Sequence, residues 1–406
     1  MKKKIIVVGA YGCGNKGDDA ILDGIYQVFG SDYEIIPTCG NYGHLEDFLA
    51  SDTKVLSCRM DEGFSCSVMW NLIRFFPQYY RTLKNVEAVF IGGGSLIHDL
   101  TKYNLPFFVI VEILAKLRHK KVFFVGVGAG PLNTQKGRML AKKWLNKSEG
   151  VVVRDPFDYH LLKGIGVTNV TLSADMAFAG ATNNVDVSEL LAELEVVPEE
   201  YIVVTGCQWF TSKNFWVRNK MDFHNEKEKF AGALRRLIAL TGKKILFLPT
   251  VFHDFSLGIE LQEKLCDNRF IVAEHYYHCR EMAAIVEHSF FIFGMRMHSL
   301  IFAIRCGKPF VATVYDDKVR HLLERVGMEP YIIEFDDIDS KLFDAKVQSV
   351  VEDYDKISVH LSKRAVEFKN SVKLSAQKLN QKITGGGYKG NALYSAMTFQ
   401  KGGLAA

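Results

Sequence analysis

The sequence predicts an α/β protein built from two doubly wound domains. Three observations lead there. Short apolar runs alternate with longer stretches of helical spacing through most of the 406 residues. The runs are apolar throughout, as in Ile5-Ile6-Val7-Val8 and Tyr201-Ile202-Val203-Val204, which suits parallel strands covered on both faces. Glycine-rich turns follow several of the runs, at the strand ends where open α/β sheets bind ligands.

Bulk properties narrow the class. A chain of 406 residues implies two or three domains, and 48% hydrophobic with 24% charged residues fits an ordinary globular core. A net charge of +4 with no dense basic stripe argues against a nucleic-acid protein. It suits anionic small substrates, or a weak encounter with an anionic membrane surface. The eight cysteines (13, 39, 58, 66, 207, 266, 279 and 306) form no Cys-x-x-Cys pair. Reduced thiols and a cytoplasmic location are expected. The apolar run after Lys4 is too short for a signal peptide, and Leu105 to Leu117 contains Glu112 and is too short to span a bilayer.

Ile5–Val8 is the first strand. Gly9 to Gly17 is a glycine-rich turn, and Asp18-Asp19-Ala20-Ile21-Leu22 opens a helix. Gly12-x-Gly14-x-x-Gly17 matches the spacing of a dinucleotide fingerprint, but Asp18 and Asp19 stand where a pyrophosphate would have to sit. Two readings of Asp18 remain: a carboxylate facing a hydroxyl-bearing substrate, or a helix cap. Trp70 to Lys84 mixes aromatics with Arg74, Arg81 and Lys84, as a core helix with solvated cations or a membrane-facing segment would. Val86 to Ile91 is a strand ending in Gly92-Gly93-Gly94-Ser95, where the backbone can approach a ligand. Lys121 to Val127 and Gly150 to Val153 are further strands, and Arg154 follows the second. Arg154 is either an anion ligand or the partner of Asp155 or Asp175.

Residues 1–180 thus form the first domain. The polar, acidic residues 181–200 read as a linker, and a second alternating domain covers 201–343. Its strands include Lys244 to Leu248, Phe270 to Ala273, Phe290 to Phe293 and Phe310 to Val314. Lys318 lies just past the last, as an anion ligand or in a loop ion pair with its neighbours. Residues 344–384 have helical spacing and are expected to pack back on the body. Residues 385–406, opening with three glycines, show no packed pattern and are expected to form a mobile tail. His253, His275 and His278 do not have zinc-site spacing, so no metal is expected.

The sharpest chemical signal is Gly294-Met295-Arg296-Met297-His298-Ser299-Leu300. It joins a buried strand to a buried helix that ends at Gly307 and Pro309. Arg296 supplies a permanently charged planar fork for carboxylate or phosphate, at a helix N-terminus that favours anions. His298 supplies a proton that can move near neutral pH.

Two doubly wound domains facing a central cleft look like the GT-B architecture of glycosyltransferases. The motifs are more specific. Gly14-Asn15-Lys16-Gly17-Asp18-Asp19-Ala20-Ile21-Leu22, Ile91-Gly92-Gly93-Gly94-Ser95-Leu96, Gly126-Val127-Gly128-Ala129-Gly130-Pro131, Val153-Arg154-Asp155 and Ser173-Ala174-Asp175 resemble the polysaccharide pyruvyl transferase family. So do Gly294-Met295-Arg296-Met297-His298 and Tyr315-Asp316-Asp317-Lys318-Val319, in the same order, over roughly residues 5–330.

The resemblance implies transfer of pyruvate from phosphoenolpyruvate to a sugar as a cyclic ketal, without an organic cofactor. It places Arg296, Arg154 and Lys318 on the donor's anionic groups, His298 as general acid and Asp18 as base or hydroxyl-orienting group. Asn15, Gly17, Gly93, Gly94 and Ser95 would line the acceptor side, in the N-terminal domain. The acceptor is expected to be a carbohydrate, free, polymeric or lipid-linked, with peripheral membrane contact in the last case. A nucleotide-sugar glycosyltransferase and a non-catalytic binding protein of the same fold are the competing readings.

Overall fold

The structure is a computed structural model that describes residues 2–41, 43, 45, 49, 52–58, 66–181, 185–207, 223–314 and 316–385. The chain divides into two compact units. One is Met1–Ala181 with the C-terminal segment from Phe368; the other is Thr182–Glu367.

The first unit contains, in order, β1 (Lys3–Val8), α1 (Lys16–Phe29), β2 (Tyr33–Cys39), β3 (Leu56–Ser57), α2 (Cys66–Thr82), β4 (Ala88–Gly92) and β5 (Ser95–Ile97). Then come α3 (Asn104–Leu117), β6 (Lys121–Ala129), α4 (Gln135–Leu145), β7 (Gly150–Val153), α5 (Pro156–Gly164) and β8 (Val170–Leu172). Its sheet runs β3-β2-β1-β4-β6-β7-β8, with β5 beside β6. The registered pairings are parallel.

Strand side chains alternate between the two faces. On one face Ile6, Ile91 and Phe124 pack with Phe75 and Tyr79 of α2, Phe108 and Val111 of α3, and Leu145 of α4. On the other, Phe90 meets Phe29 of α1 edge-on, ring centroids 4.9 Å apart. Both faces are therefore covered, which accounts for the uniformly apolar strands.

The second unit contains α6 (Val187–Glu193), β9 (Tyr201–Thr205), α7 (Phe223–Thr241), β10 (Lys244–Phe247), α8 (Asp254–Leu265), β11 (Phe270–Val272) and α9 (Cys279–Glu287). It continues with β12 (Ile292–Gly294), α10 (Met297–Cys306), β13 (Phe310–Val314), α11 (Asp317–Val326), β14 (Ile332–Glu334), α12 (Lys341–Glu352) and α13 (Tyr354–Thr384). Its six-stranded sheet runs β11-β10-β9-β12-β13-β14, again with parallel pairings.

Several expectations need adjustment. The segment read as a linker contains α6, whose N-terminus is capped by Asp186 and whose Leu190 and Leu191 are buried. Its polar surface positions hid a two-residue apolar stripe. The C-terminal helices serve both units. His360 of α13 bonds the Val326 carbonyl in the second unit. Further along, Phe368 packs on Phe178 at 4.7 Å and Ser375 Oγ donates to Ser173 Oγ at 2.6 Å, both in the first unit. Strands β3, β5 and β14 span two or three residues each, too few to display a period.

In α2, Phe75 and Tyr79 are core residues while Arg74, Arg81 and Lys84 point to solvent. The helix therefore packs on the core with its cations outward; Trp70 lies among side chains outside the described ones. Residues 386–406 of the expected tail are also outside the described residues. No helix of the described residues is long and apolar enough to cross a membrane.

Candidate functional site

Each sheet reverses its strand order once: between β1 and β4 in the first unit, and between β9 and β12 in the second. A crevice opens at such a switch point beyond the strand carboxyl ends. The glycine-rich turns of the first unit follow β1 and β4, and the Arg296–His298 turn of the second follows β12. Two clusters of functional side chains result, one in each unit.

In the first unit, Asn15 caps α1. Its Oδ1 accepts from Gly17 N at 3.0 Å, and its Nδ2 donates to Asp18 Oδ2 at 2.9 Å. Asn15 is thus the cap, and it orients Asp18 rather than being replaced by it. A Cβ on Gly94 would stand 3.0 Å from Asp18 Oδ1, and Gly94 has φ +72°. Asp18 therefore lies against Gly94, where the positive φ calls for glycine. Beneath this, Tyr11 is fully buried and donates to the Gly92 carbonyl at 2.6 Å. Burial, with the charges of Asp18, Asp19 and Asp175, pushes its hydroxyl well above the usual tyrosine range.

Asp19 points the other way. It is fully buried, accepts from Gly12 N at 2.8 Å and pairs with the buried Lys16 at 3.6 Å. Burial pushes its carboxyl up to about 6 against the opposing pull of Lys16. The pair ties the glycine-rich loop to the helix it precedes.

Arg154, expected on the donor, makes the ion pair with Asp175 that the sequence held open beside that role. It is buried, with Nη1 donating to Asp175 Oδ2 at 2.8 Å and Nη2 to Ser95 Oγ at 3.0 Å. Burial opposes its charge, but Asp175 and Asp158 raise its pKa above the ordinary arginine value. Burial, followed by the charge of Asp155, pushes Asp158 up to about 8 despite Arg154. Arg154 thus holds Ser95 and β5 to Asp175, because a guanidinium this buried requires a carboxylate. Asp175 was the alternative partner named from the sequence.

In the second unit, Thr205 ends β9. Its Oγ1 lies 2.8 Å from Ser299 Oγ, and Ser299 Oγ donates to the Arg296 carbonyl at 2.7 Å. Both hydroxyls are buried and fix the turn from β12 into α10. Arg296 is the N-cap residue and His298 lies in the first helical turn, partly buried. The Nε–Nη2 edge of Arg296 grips the Asp254 carboxylate, with Nε to Oδ2 at 3.0 Å. Asp254 is fully buried at the start of α8, while the Arg296 side chain keeps 21% of its exposure. The bidentate fork expected for a ligand is therefore engaged by protein on one edge.

Lys318 pairs with Asp316 at 3.0 Å, and Asp316 caps α11 through Lys318 N. This is the loop ion pair held open from the sequence; Tyr315 of that motif lies outside the described residues. Among the described residues, no group of three or more His, Cys, Asp or Glu side chains is placed to hold a metal ion.

Asp254, Thr205, Tyr11 and Lys16 were missed as site residues. Asp254 had a legible signal: it opens a helix after a strand-end loop, the rule that singled out Arg296. Thr205 carries no local mark, since a hydroxyl in an apolar stretch reads as core, and Tyr11 carries none because nothing in the glycine-rich turn signals its burial.

Residues 15–317 match the family model described as "Polysaccharide pyruvyl transferase". The amylovoran biosynthesis protein AmsJ of Erwinia amylovora is 25% identical, over 90% of this chain and 95% of its own length. Among solved structures, a UDP-GlcNAc 2-epimerase from Methanocaldococcus jannaschii superposes with a TM-score of 0.60 at 15% identity, covering 94% of this chain and 99% of its own. A glycosyltransferase from Rickettsia africae superposes with a TM-score of 0.59 at 13% identity, covering 94% and 99%. At these identities the structural likeness shows the GT-B-like fold alone.

Proposed function

Because the chain belongs to the polysaccharide pyruvyl transferase family, we propose that it transfers pyruvate from phosphoenolpyruvate to two hydroxyls of one sugar. The product is a cyclic ketal on a cell-surface polysaccharide or its lipid-linked precursor, and phosphate is released. The observation that carries this reading is the Arg296–His298 turn at the switch point of the second sheet, with Asp254 locking the guanidinium.

The chemistry asks for an anion clamp and a proton donor together. Protonating C3 of the enol makes C2 electrophilic, and a sugar hydroxyl adds there. The C2–O bond to phosphate then breaks, and the second hydroxyl closes the ketal. One proton ends on C3; the second is taken up by a base or by the departing phosphate. Arg296 would meet the donor's carboxylate or phosphate with its Nη1–Nη2 edge, and Lys318 would add charge. His298 would protonate C3. Asp18, oriented by Asn15 in the first unit, is assigned to the acceptor hydroxyls with Gly93, Gly94 and Ser95 beside it. Arg154 supports Ser95 rather than binding the donor in this scheme. No step requires an organic cofactor or a change of redox state.

The test is calorimetric titration of wild type and Arg296→Lys, first with phosphoenolpyruvate and then with a uridine diphosphate sugar. Lysine keeps the charge and loses the planar fork, so phosphoenolpyruvate should bind about 1–3 kcal/mol more weakly. Wild type that ignores phosphoenolpyruvate and binds the nucleotide sugar would overturn the reading in favour of glycosyl transfer.

A further inference from the structure

Helices α2, α3 and α4 lie side by side on one face of the first sheet, with α3 in the middle. The solvent side of α3 is apolar. Tyr103, Ile110 and Leu117 recur at intervals of seven and are 49%, 42% and 63% exposed. The flanking helices are basic: Arg74, Arg81 and Lys84 are exposed on and just after α2, and Lys136, Lys142 and Lys143 on α4. Met139 of α4 is 63% exposed among the latter. Arg118 at the end of α3 lies 3.9 Å over the ring of Tyr80, so the surface is continuous from α2 to α3.

Among the described residues these three helices present no exposed carboxylate where a soluble surface would interleave them, although Asp99 accepts from Thr134 N at the start of α4. Helices α2 and α4 contain no Asp or Glu, and the one acid of α3, Glu112, is fully buried. Lys116 pairs with Glu149, which lies beyond the end of α4.

We propose that this face docks on an anionic lipid bilayer. The apolar stripe of α3 enters the headgroup boundary, and the cations of α2 and α4 meet lipid phosphates. An exposed apolar stripe edged by cations, on helices with no exposed acid of their own, has the composition of an interfacial element. A second copy of the chain would bring like charges together across a symmetric contact. A nucleic acid would leave the apolar stripe in water. The inference rests on this surface alone and is independent of the donor's identity.

The experiment is flotation of the full chain with vesicles of phosphatidylcholine, or of phosphatidylcholine mixed with phosphatidylglycerol. Binding is expected to the mixed vesicles only, and to fall with added salt. The variant K136Q/K142Q/K143Q should partition about a hundredfold more weakly, each lysine near the surface accounting for about fivefold. Leu117→Gln should weaken binding at low and high salt alike. These side chains face solvent, so the melting temperatures should match wild type.

The control is K369Q/K373Q on α13, whose Phe368 packs on the turn against α1, on the opposite side of the sheet. It should bind as wild type does. The proposal is overturned if mixed vesicles do not carry the protein, if neutral vesicles carry as much, or if the control loses as much as the triple variant. It is equally overturned if light scattering shows that the triple variant changes the protein's own association state.

Discussion

Removing the carboxylate of Asp254 should expose how much of the second cluster depends on one ion pair. Asp254 is fully buried and receives two bonds from Arg296 and one from Val251 N, at 3.2 Å. Breaking a buried pair from one side typically costs about 3–5 kcal/mol, because a charge is stranded. In Asp254→Asn the stranded group is Arg296, whose side chain is 21% exposed and can turn partly to water. Asparagine also still accepts from Val251 N. The expected loss is therefore lower, roughly 2–3 kcal/mol. For a unit of this size that corresponds to a fall in melting temperature of about 4–12 °C.

In Arg296→Met the stranded group is the fully buried carboxylate, so the loss should reach about 3–5 kcal/mol. The double variant strands neither charge and should be more stable than the two losses summed, by about 2 kcal/mol or more. Urea unfolding of all four proteins measures this. Additivity within about 0.5 kcal/mol would refute the claim that Asp254 and Arg296 form one coupled pair.

His298→Ala should lower turnover of phosphoenolpyruvate about 10²–10⁴-fold with little change in donor affinity, measured by phosphate release and titration; near-normal turnover would remove it from the mechanism. Asp158 has a folded-state pKa of about 8 against about 3.8 unfolded, so the folded state holds its proton more tightly. Stability should fall as pH rises from about 4 to about 8, and Asp158→Asn should flatten that slope in urea unfolding at stepped pH. None of the seven cysteines whose side chains are described stands in a disulfide, and the denatured protein should titrate as eight thiols without reductant. In the folded protein Cys266, the exposed one among those seven, should be alkylated before the rest of them in mass spectrometry, since burial pushes Cys39 and Cys306 up to about 12.

By itself the sequence determined the features that depend on neighbours along the chain. Apolar runs and helical spacing set the alternation of strand and helix, and glycine and proline marked its turns. Asn15, Asp18, Arg296, His298 and Lys318 were thereby placed at strand-to-helix turns, because a turn is specified by the residues on either side of it. The motif order carried the family for the same reason.

The tertiary structure alone decided what pairs across long separations. Asp254 precedes Arg296 by 42 residues, and Arg154 meets Ser95 across 59; no local pattern encodes either partner. Strand order fixes such contacts by bringing loop ends together. The same holds for α13, whose two halves belong to different units because the residues that cover them come from distant strands and turns. The basic, apolar face of α2, α3 and α4 is the clearest case. No stretch of sequence is densely basic. The stripe exists only because a parallel sheet stacks three separate crossover helices on one side, bringing their outward faces into one surface.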